Sequence, residues 1–102
     1  MPSMTVTLLY FDGCPNWQEA EDRLHEAMRR AVRPVSDLRA ERVITPEDAQ
    51  RLRFRGSPTI LVDGEDPFAD AAAPVGLACR LFQTPDGLLG APTVEQLVAA
   101  MR

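Results

Sequence analysis

The residues best suited to chemistry are the two cysteines, Cys14 and Cys79. Cys14 lies in the segment YFDGCPNW, shortly after an apolar run that ends at Phe11 and just before a helical pattern. A thiol at a helix N-terminus is close to unpaired backbone N–H groups and to the positive end of the helix dipole, and both favour the thiolate. Such a position can lower a cysteine pKa from about 8.5 to about 3.5–7.5. The sequence therefore predicts a reactive thiolate at Cys14.

Two neighbours of Cys14 bear on this prediction. Asp12 would disfavour the thiolate if its charge lay nearby, because like charges repel; we favour the alternative, in which Asp12 is a turn residue. Trp17 stands where a second cysteine would complete a Cys-x-x-Cys motif, so the usual resolving thiol is missing. Trp17 is either a core residue of the helix, which we favour, or a ring that stacks on a substrate.

Apolar patterns predict the elements that would position the thiol. Residues 5–11 are rich in β-branched and aromatic side chains and are apolar on both faces, as in a strand covered on both sides. Apolar side chains at steps of three and four over residues 17–31 predict the helix that follows. Pro15 suits the first helical position, and the pair Arg33-Pro34 is expected to end the helix.

The rest of the chain predicts five further elements, with the longest loop over residues 64–78. In chain order they are a strand within residues 35–44, a helix capped by Thr45 that runs to about Phe54, a strand over residues 60–62, a strand over residues 79–84 and a helix that begins with a capping box from Thr93 to Gln96. The order is β-α-β-α-β-β-α, which predicts a single α/β domain over residues 1–102.

This order resembles the thioredoxin fold over essentially the whole chain. Two local signatures sharpen the resemblance: Cys14 at the junction of the first strand and first helix, and the segment Gly56-Ser57-Pro58-Thr59 before the third strand. The motif is also similar to that of small bacterial thioredoxin-like proteins, some of which are labelled alkylmercury lyase-like. The resemblance implies a mixed four-stranded sheet with helices on both faces.

The resemblance also implies a substrate groove beside Cys14. Pro58 would follow a cis peptide bond, and Ser57 would offer its backbone to an extended substrate. Arg55 would lie near the same pocket, where it would stabilise a thiolate or hold the carboxylate of a small thiol; a solvated helix face is its plainer interpretation, and the one we favour. The only histidine, His25, lies about 16 Å along the helix from Cys14, too far to act as its base.

Cys79 has two interpretations. In the thioredoxin order it begins a fourth strand at the far end of the sheet, about 16 Å from Cys14, whereas a disulfide needs Cα atoms within about 7 Å. Cys79 would then be a small buried apolar residue, which is the interpretation we favour. Alternatively, the loop over residues 64–78 crosses back over the sheet and brings Cys79 to Cys14, as a disulfide partner or as a second metal ligand.

The composition of the chain limits the kinds of partner that we expect the protein to bind. The formal net charge is -4 and basic residues are scattered among acidic ones, so we expect no nucleic acid. The apolar run over residues 6–11 is far shorter than the roughly 20 residues of a membrane span, so we expect no membrane partner. The first residues carry no positively charged segment, and we expect a cytoplasmic protein. The sequence does not predict an oligomeric state.

The function we expect is monothiol exchange. Cys14 would form a mixed disulfide with a low-molecular-weight thiol or a protein disulfide, and a groove formed by Ser57, Pro58, Arg55 and Trp17 would bind that partner. We expect no cofactor and no resident metal ion, and whether the protein is an enzyme stays open. Two alternatives remain: a binding module without catalysis, and the handling of a soft metal such as mercury by Cys14 and Cys79.

Overall fold

The computed structural model describes residues 4–31, 35–69 and 74–102. Three helices and five strands follow one another along this part of the chain. In chain order they are β1 (Met4–Tyr10), α1 (Asn16–Arg30), β2 (Val35–Arg42), α2 (Pro46–Leu52), β3 (Thr59–Val62), β4 (Phe82–Thr84), β5 (Gly87–Leu89) and α3 (Val94–Ala100).

The strands form two separate sheets. In the first, β1 lies between β2, with which it is parallel, and β3, with which it is antiparallel. In the second, β4 and β5 form an antiparallel pair. The predicted order is correct from β1 to β3, but the prediction of one mixed four-stranded sheet with helices on both faces is wrong.

A local hairpin is the reason that the fourth strand leaves the main sheet. The turn after β4 brings Thr84 opposite Gly87, and the Thr84 hydroxyl donates to the Gly87 carbonyl oxygen at 2.6 Å. Gly87 has a φ of 101°, a conformation that favours glycine. Pairing with the adjacent segment closes a much shorter loop than pairing with β3, so it costs less chain entropy. The sequence analysis did not predict β5.

Residues close in sequence determine where the helices begin. Thr45 caps α2 by accepting from the Asp48 N–H at 3.1 Å, and Thr93 and Gln96 form the predicted capping box of α3. Pro15 is the N-cap of α1 rather than its first residue, and no side chain caps this helix. The predicted helix end at Arg33-Pro34 lies outside the described residues, as do residues 70–73 of the predicted loop.

β1 is buried on both faces, as predicted. Leu8 belongs to a core cluster that includes Leu24 of α1 and Leu97 of α3. Its neighbour Leu9 points the other way, into a second cluster with Phe54. Cys14 lies four residues after the end of β1, so the strand that leads to it is packed on both faces. Among the described residues, no helix has the length and the apolar character needed to cross a membrane.

Candidate functional site

Cys14 and Cys79 form a disulfide that closes a sequence separation of 65 residues. Their Cα atoms are 5.6 Å apart, inside the usual range for such a bond. The favoured prediction, in which Cys79 is a buried apolar residue distant from Cys14, is therefore wrong. Cys79 is exposed, and it precedes β4 instead of beginning it. The alternative in which Cys79 is the disulfide partner of Cys14 is the one that the structure contains.

The backbone of Ser57 holds the Cys79 segment in place. The Ser57 N–H donates to the carbonyl oxygen of Ala78 at 2.7 Å, and the Arg80 N–H donates to the carbonyl oxygen of Ser57 at 2.9 Å. Together these bonds form a parallel bridge between Ser57 and Cys79. The bridge explains how two cysteines so distant in sequence meet, because it places Cys79 next to the loop that follows α2.

Gly56 makes this close approach of two backbones feasible. Its φ is 115°, a backbone conformation that L-residues with a side chain rarely adopt. A Cβ atom at this position would also lie 2.9 Å from the Cβ of Arg80. The same Cβ would lie 3.3 Å from the carbonyl oxygen of Ala78. A glycine is thus required both by the local conformation and by the packing of the Cys79 segment.

Cys14 is fully buried at the start of α1. Its N–H donates to the carbonyl oxygen of Phe11 at 3.1 Å, and the side-chain amide of Asn16 donates to its sulfur at 3.5 Å. Because no side chain caps α1, its first N–H groups do not have a carboxylate or hydroxyl partner from the cap. The Asn16 amide and the helix dipole would therefore both favour a thiolate at Cys14 after reduction, against the desolvation that burial imposes on its charge.

Asn16 is a site residue that the sequence analysis missed. It is the first residue of α1 and is half-buried, and its amide group packs against Gly90, where a Cβ atom would overlap it. The only signal in the sequence was an amide side chain two residues after a cysteine at a predicted helix start. The contact with Gly90, from the end of the β4–β5 hairpin, could not have been read from that segment.

Asp12 lies in the turn that precedes Cys14, as we favoured, and its charge is paired. An Asp12 carboxylate oxygen accepts from the Arg42 guanidinium at 2.9 Å, and both side chains are exposed. The hydrogen bond and then the negative charge of Asp12 raise the pKa of Arg42. The neighbouring cation offsets the repulsion that Asp12 alone would exert on a Cys14 thiolate.

Of the predicted groove residues, Ser57 is bridged to Cys79, and the predicted role of its backbone is already filled. The Ser57–Pro58 peptide bond is cis, as expected, and both residues are buried. The Ser57 hydroxyl accepts from the Phe11 N–H at 3.0 Å. The Ser57 backbone, predicted to bind an extended substrate, is instead paired with the chain's own residues on either side of Cys79.

The two remaining predicted groove residues are Trp17 and Arg55. Trp17 is half-buried, packs against the main core cluster and stacks on Tyr10 with 4.3 Å between ring centroids. Its ring therefore has the core role that we favoured. Arg55 is half-buried in the loop two residues before Ser57. Its role toward a substrate stays a prediction.

Neither cysteine is free, and among the described residues no group of three or more His, Cys, Asp or Glu side chains is arranged to hold a metal ion. The site is thus a pair of sulfur atoms with amide donors around one of them. Comparisons with protein-family models, with curated proteins and with solved structures found no match. What this site can do therefore follows from its geometry and chemistry alone.

Proposed function

We propose that this protein carries a redox-active disulfide and exchanges it with external thiols and disulfides. The observation that carries the proposal is the asymmetry of the bond. Cys79 is exposed, whereas Cys14 is fully buried and lies at the uncapped N-terminus of α1 with an amide donor on its sulfur. An asymmetric disulfide has one sulfur that can be attacked and one that leaves well as a thiolate, which are the two requirements for exchange.

Reduction then proceeds in two steps. An external thiolate attacks the Cys79 sulfur, the bond between the two cysteines breaks, and Cys14 leaves with the electron pair as a thiolate. A second external thiolate attacks the sulfur of the external group, which releases the external disulfide and the Cys79 thiolate. The overall change is one protein disulfide plus two thiols to one protein dithiol plus one external disulfide. In the reverse direction Cys14 is the nucleophile that closes the bond.

The chemistry proposed here uses two thiols, whereas the sequence favoured one. A lone Cys14 would need a second external molecule to resolve every mixed disulfide, but Cys79 lies within bonding distance and can exchange with it directly. The resemblance to thioredoxin-like proteins stays a proposal. It is supported by a cysteine before a helix and by a cis proline in the loop before β3. The partner remains a low-molecular-weight thiol or a protein disulfide, in the cytoplasm.

A redox titration tests the proposal. The folded protein is equilibrated with mixtures of reduced and oxidised glutathione, and free thiols are trapped and counted by mass spectrometry. We expect a two-electron transition at a potential above about -300 mV, where exchanging disulfides lie. The variants Cys14→Ser and Cys79→Ser serve as controls and should lose the transition. A bond that is reduced only after the protein unfolds would be a structural cross-link, and the proposal would then be wrong.

A soft-metal function is a second candidate, and the distance of 5.6 Å between the two Cα atoms favours it. In the reduced protein two thiolates would lie close enough to bind one Hg²⁺ ion, a metal that prefers sulfur ligands. One Hg²⁺ per chain, lost in each single cysteine variant, would support this candidate. Equal binding to the single variants and to the unmodified chain would contradict it.

The non-catalytic binding module is less favoured by the same contacts. A peptide that paired with Ser57 would have to displace Ala78 and Arg80 from its backbone. The glutathione titration separates this alternative from the first, because a binding module would show no exchange in the folded state.

A further inference from the structure

Arg80, directly after Cys79, is a buried arginine whose two terminal nitrogens both have hydrogen-bond partners. Only 7% of the side chain is exposed. One terminal nitrogen donates to Asp66 at 2.7 Å and to the Thr59 hydroxyl at 3.5 Å. The other donates to Asp66 at 3.4 Å and to the carbonyl oxygen of Phe68. Charged groups are rarely buried unless they are paired in this way. These partners therefore fix the position of the Arg80 guanidinium.

The residues that contact the Arg80 side chain come from several elements. The Arg80 guanidinium lies 4.6 Å from the ring centroid of Phe82, a distance suited to a cation–π interaction. Phe82 in turn meets Phe68 edge to face, with 5.6 Å between ring centroids. Thr59 is fixed by its own hydrogen bond, which it donates to the carbonyl oxygen of Gly56 at 2.7 Å. The arginine therefore joins the start of β3, the loop after it and β4.

None of these contacts involves the sulfur atoms. The side chain of Arg80 and the two backbone bonds of Ser57 hold the residues on both sides of Cys79 without using the disulfide itself. Reduction would remove one covalent bond, and none of these interactions depends on that bond. The Cys79 thiol should therefore stay opposite Cys14 instead of moving away with a freed loop.

We propose that Arg80 is a positioning residue, paired with Asp66, that keeps Cys79 next to Cys14 in the reduced protein. The inference rests on the exchange function proposed above. When Cys79 carries a mixed disulfide, the Cys14 thiolate attacks the Cys79 sulfur, a bond forms between the two cysteines, and the external thiolate leaves with the electron pair. A fixed geometry makes this step fast, because the two sulfurs act at a high effective concentration.

The quantity to measure is the effective concentration of one cysteine toward the other. It is obtained from the equilibrium between the folded protein and glutathione, and the rate of the closing step is followed as glutathione release from the mixed disulfide. We expect Arg80→Ala to lower the effective concentration about tenfold or more, and tenfold corresponds to about 30 mV in potential. Arg80→Lys keeps the charge but loses the planar fork, so it should restore only part of the effect.

A matched control separates positioning from general stability. Thr93→Ala removes the capping box of α3, whose hydrogen bonds join Thr93 to Gln96, and should destabilise the fold without changing the effective concentration. If Arg80→Ala does not fold, Asp66→Asn tests the same pair with little change in shape. An effective concentration within twofold of the unmodified protein, in folded variants, would overturn the inference.

The two proposals fail in different ways. If the unmodified protein does not exchange with glutathione while folded, the exchange function is wrong and the positioning role falls with it. If the unmodified protein exchanges but the Arg80 and Asp66 variants close the bond equally fast, only the positioning role is wrong.

Discussion

Ser57 and Cys79 form a parallel bridge, so the backbone beside the cis proline is paired with the chain itself. The bridge uses both the N–H and the carbonyl oxygen of Ser57. An external molecule cannot use those groups while the segment of Cys79 is in place. We therefore expect it to reach the disulfide from the side of Cys79, the exposed residue of the pair, and exchange to begin at the Cys79 sulfur.

The first prediction concerns this difference in access. In reduced single-cysteine variants at alkaline pH, where both thiols are ionised, Cys79 in Cys14→Ser should react with iodoacetamide on the order of tenfold faster than Cys14 in Cys79→Ser, because reactivity follows exposure. Labelling rates from mass spectrometry check it. The two thiols should react equally in denaturant. Faster labelling of Cys14 in the folded state would contradict the proposed point of attack.

The second prediction concerns the amide donor on Cys14. Asn16→Ala removes the hydrogen bond to the sulfur and should raise the pKa of the Cys14 thiol by about one unit, since a hydrogen bond to a charged group contributes roughly 1.5 kcal/mol or more. The ultraviolet absorbance of the thiolate, followed against pH in a Cys79→Ser background, measures this pKa. Gln18→Ala, at an exposed position of the same helix, should leave it unchanged.

Gly90 gives an independent test of the same hydrogen bond. Gly90→Ala places a methyl group where the Asn16 amide lies, and this flexible side chain must move away from its present position. The pKa of Cys14 should rise in the same direction as in Asn16→Ala. In the double variant the second change should add little, because both remove one interaction. Fully additive shifts would mean that Gly90 acts on Cys14 by another route.

The sequence was most informative where structure is local. The position of Cys14 between β1 and α1, the cap at Thr45 and the capping box at Thr93 all depend on neighbouring residues, and each was predicted. A helix cap needs only a short side chain within three residues of the N–H it accepts. The cis bond before Pro58 was expected from the resemblance and from no local preference of the chain.

The sequence was least informative where distant residues meet. Cys79, Arg80 and Leu81 read as the start of a strand, but hairpin pairing keeps only residues from Phe82 onward in β4. The buried position of Arg80 depends on Asp66, which lies in the predicted loop over residues 64–78 but was not singled out as a partner. Such contacts depend on which loop packs against which element. Neither the periodicity of apolar residues nor the spacing of motifs predicts that packing.

The third prediction concerns the glycine beneath the Cys79 segment. Gly56→Ala should lower the free energy of unfolding by about 2 kcal/mol or more, because its φ of 115° costs a side chain about 1–3 kcal/mol and the new methyl group would press on the Cβ of Arg80. Gly64→Ala is a matched control: its φ is also positive, at 86°, but a Cβ there meets nothing within 4 Å. Urea unfolding measures both, and an equal loss would mean that the contact with Arg80 adds nothing.

The fourth prediction concerns the ion pair beside the thiol. Arg42→Gln leaves the Asp12 carboxylate unpaired and should raise the pKa of Cys14, whereas Asp12→Asn leaves the arginine unpaired and should lower it. The pair is exposed, so each shift should be a few tenths of a unit at low ionic strength and smaller in salt. The thiolate absorbance in the Cys79→Ser background measures both shifts.

The opposite signs of those two shifts are the decisive feature. A general loosening of the turn would move the pKa of Cys14 in the same direction in both variants, because it would weaken the amide contacts of the sulfur in each. The double variant Asp12→Asn with Arg42→Gln carries neither charge and should return the pKa close to that of the unmodified pair. Shifts of equal sign, or shifts that do not shrink as salt is added, would contradict an electrostatic effect of the two charges on the Cys14 thiolate. They would show that the pair acts through the structure of the turn.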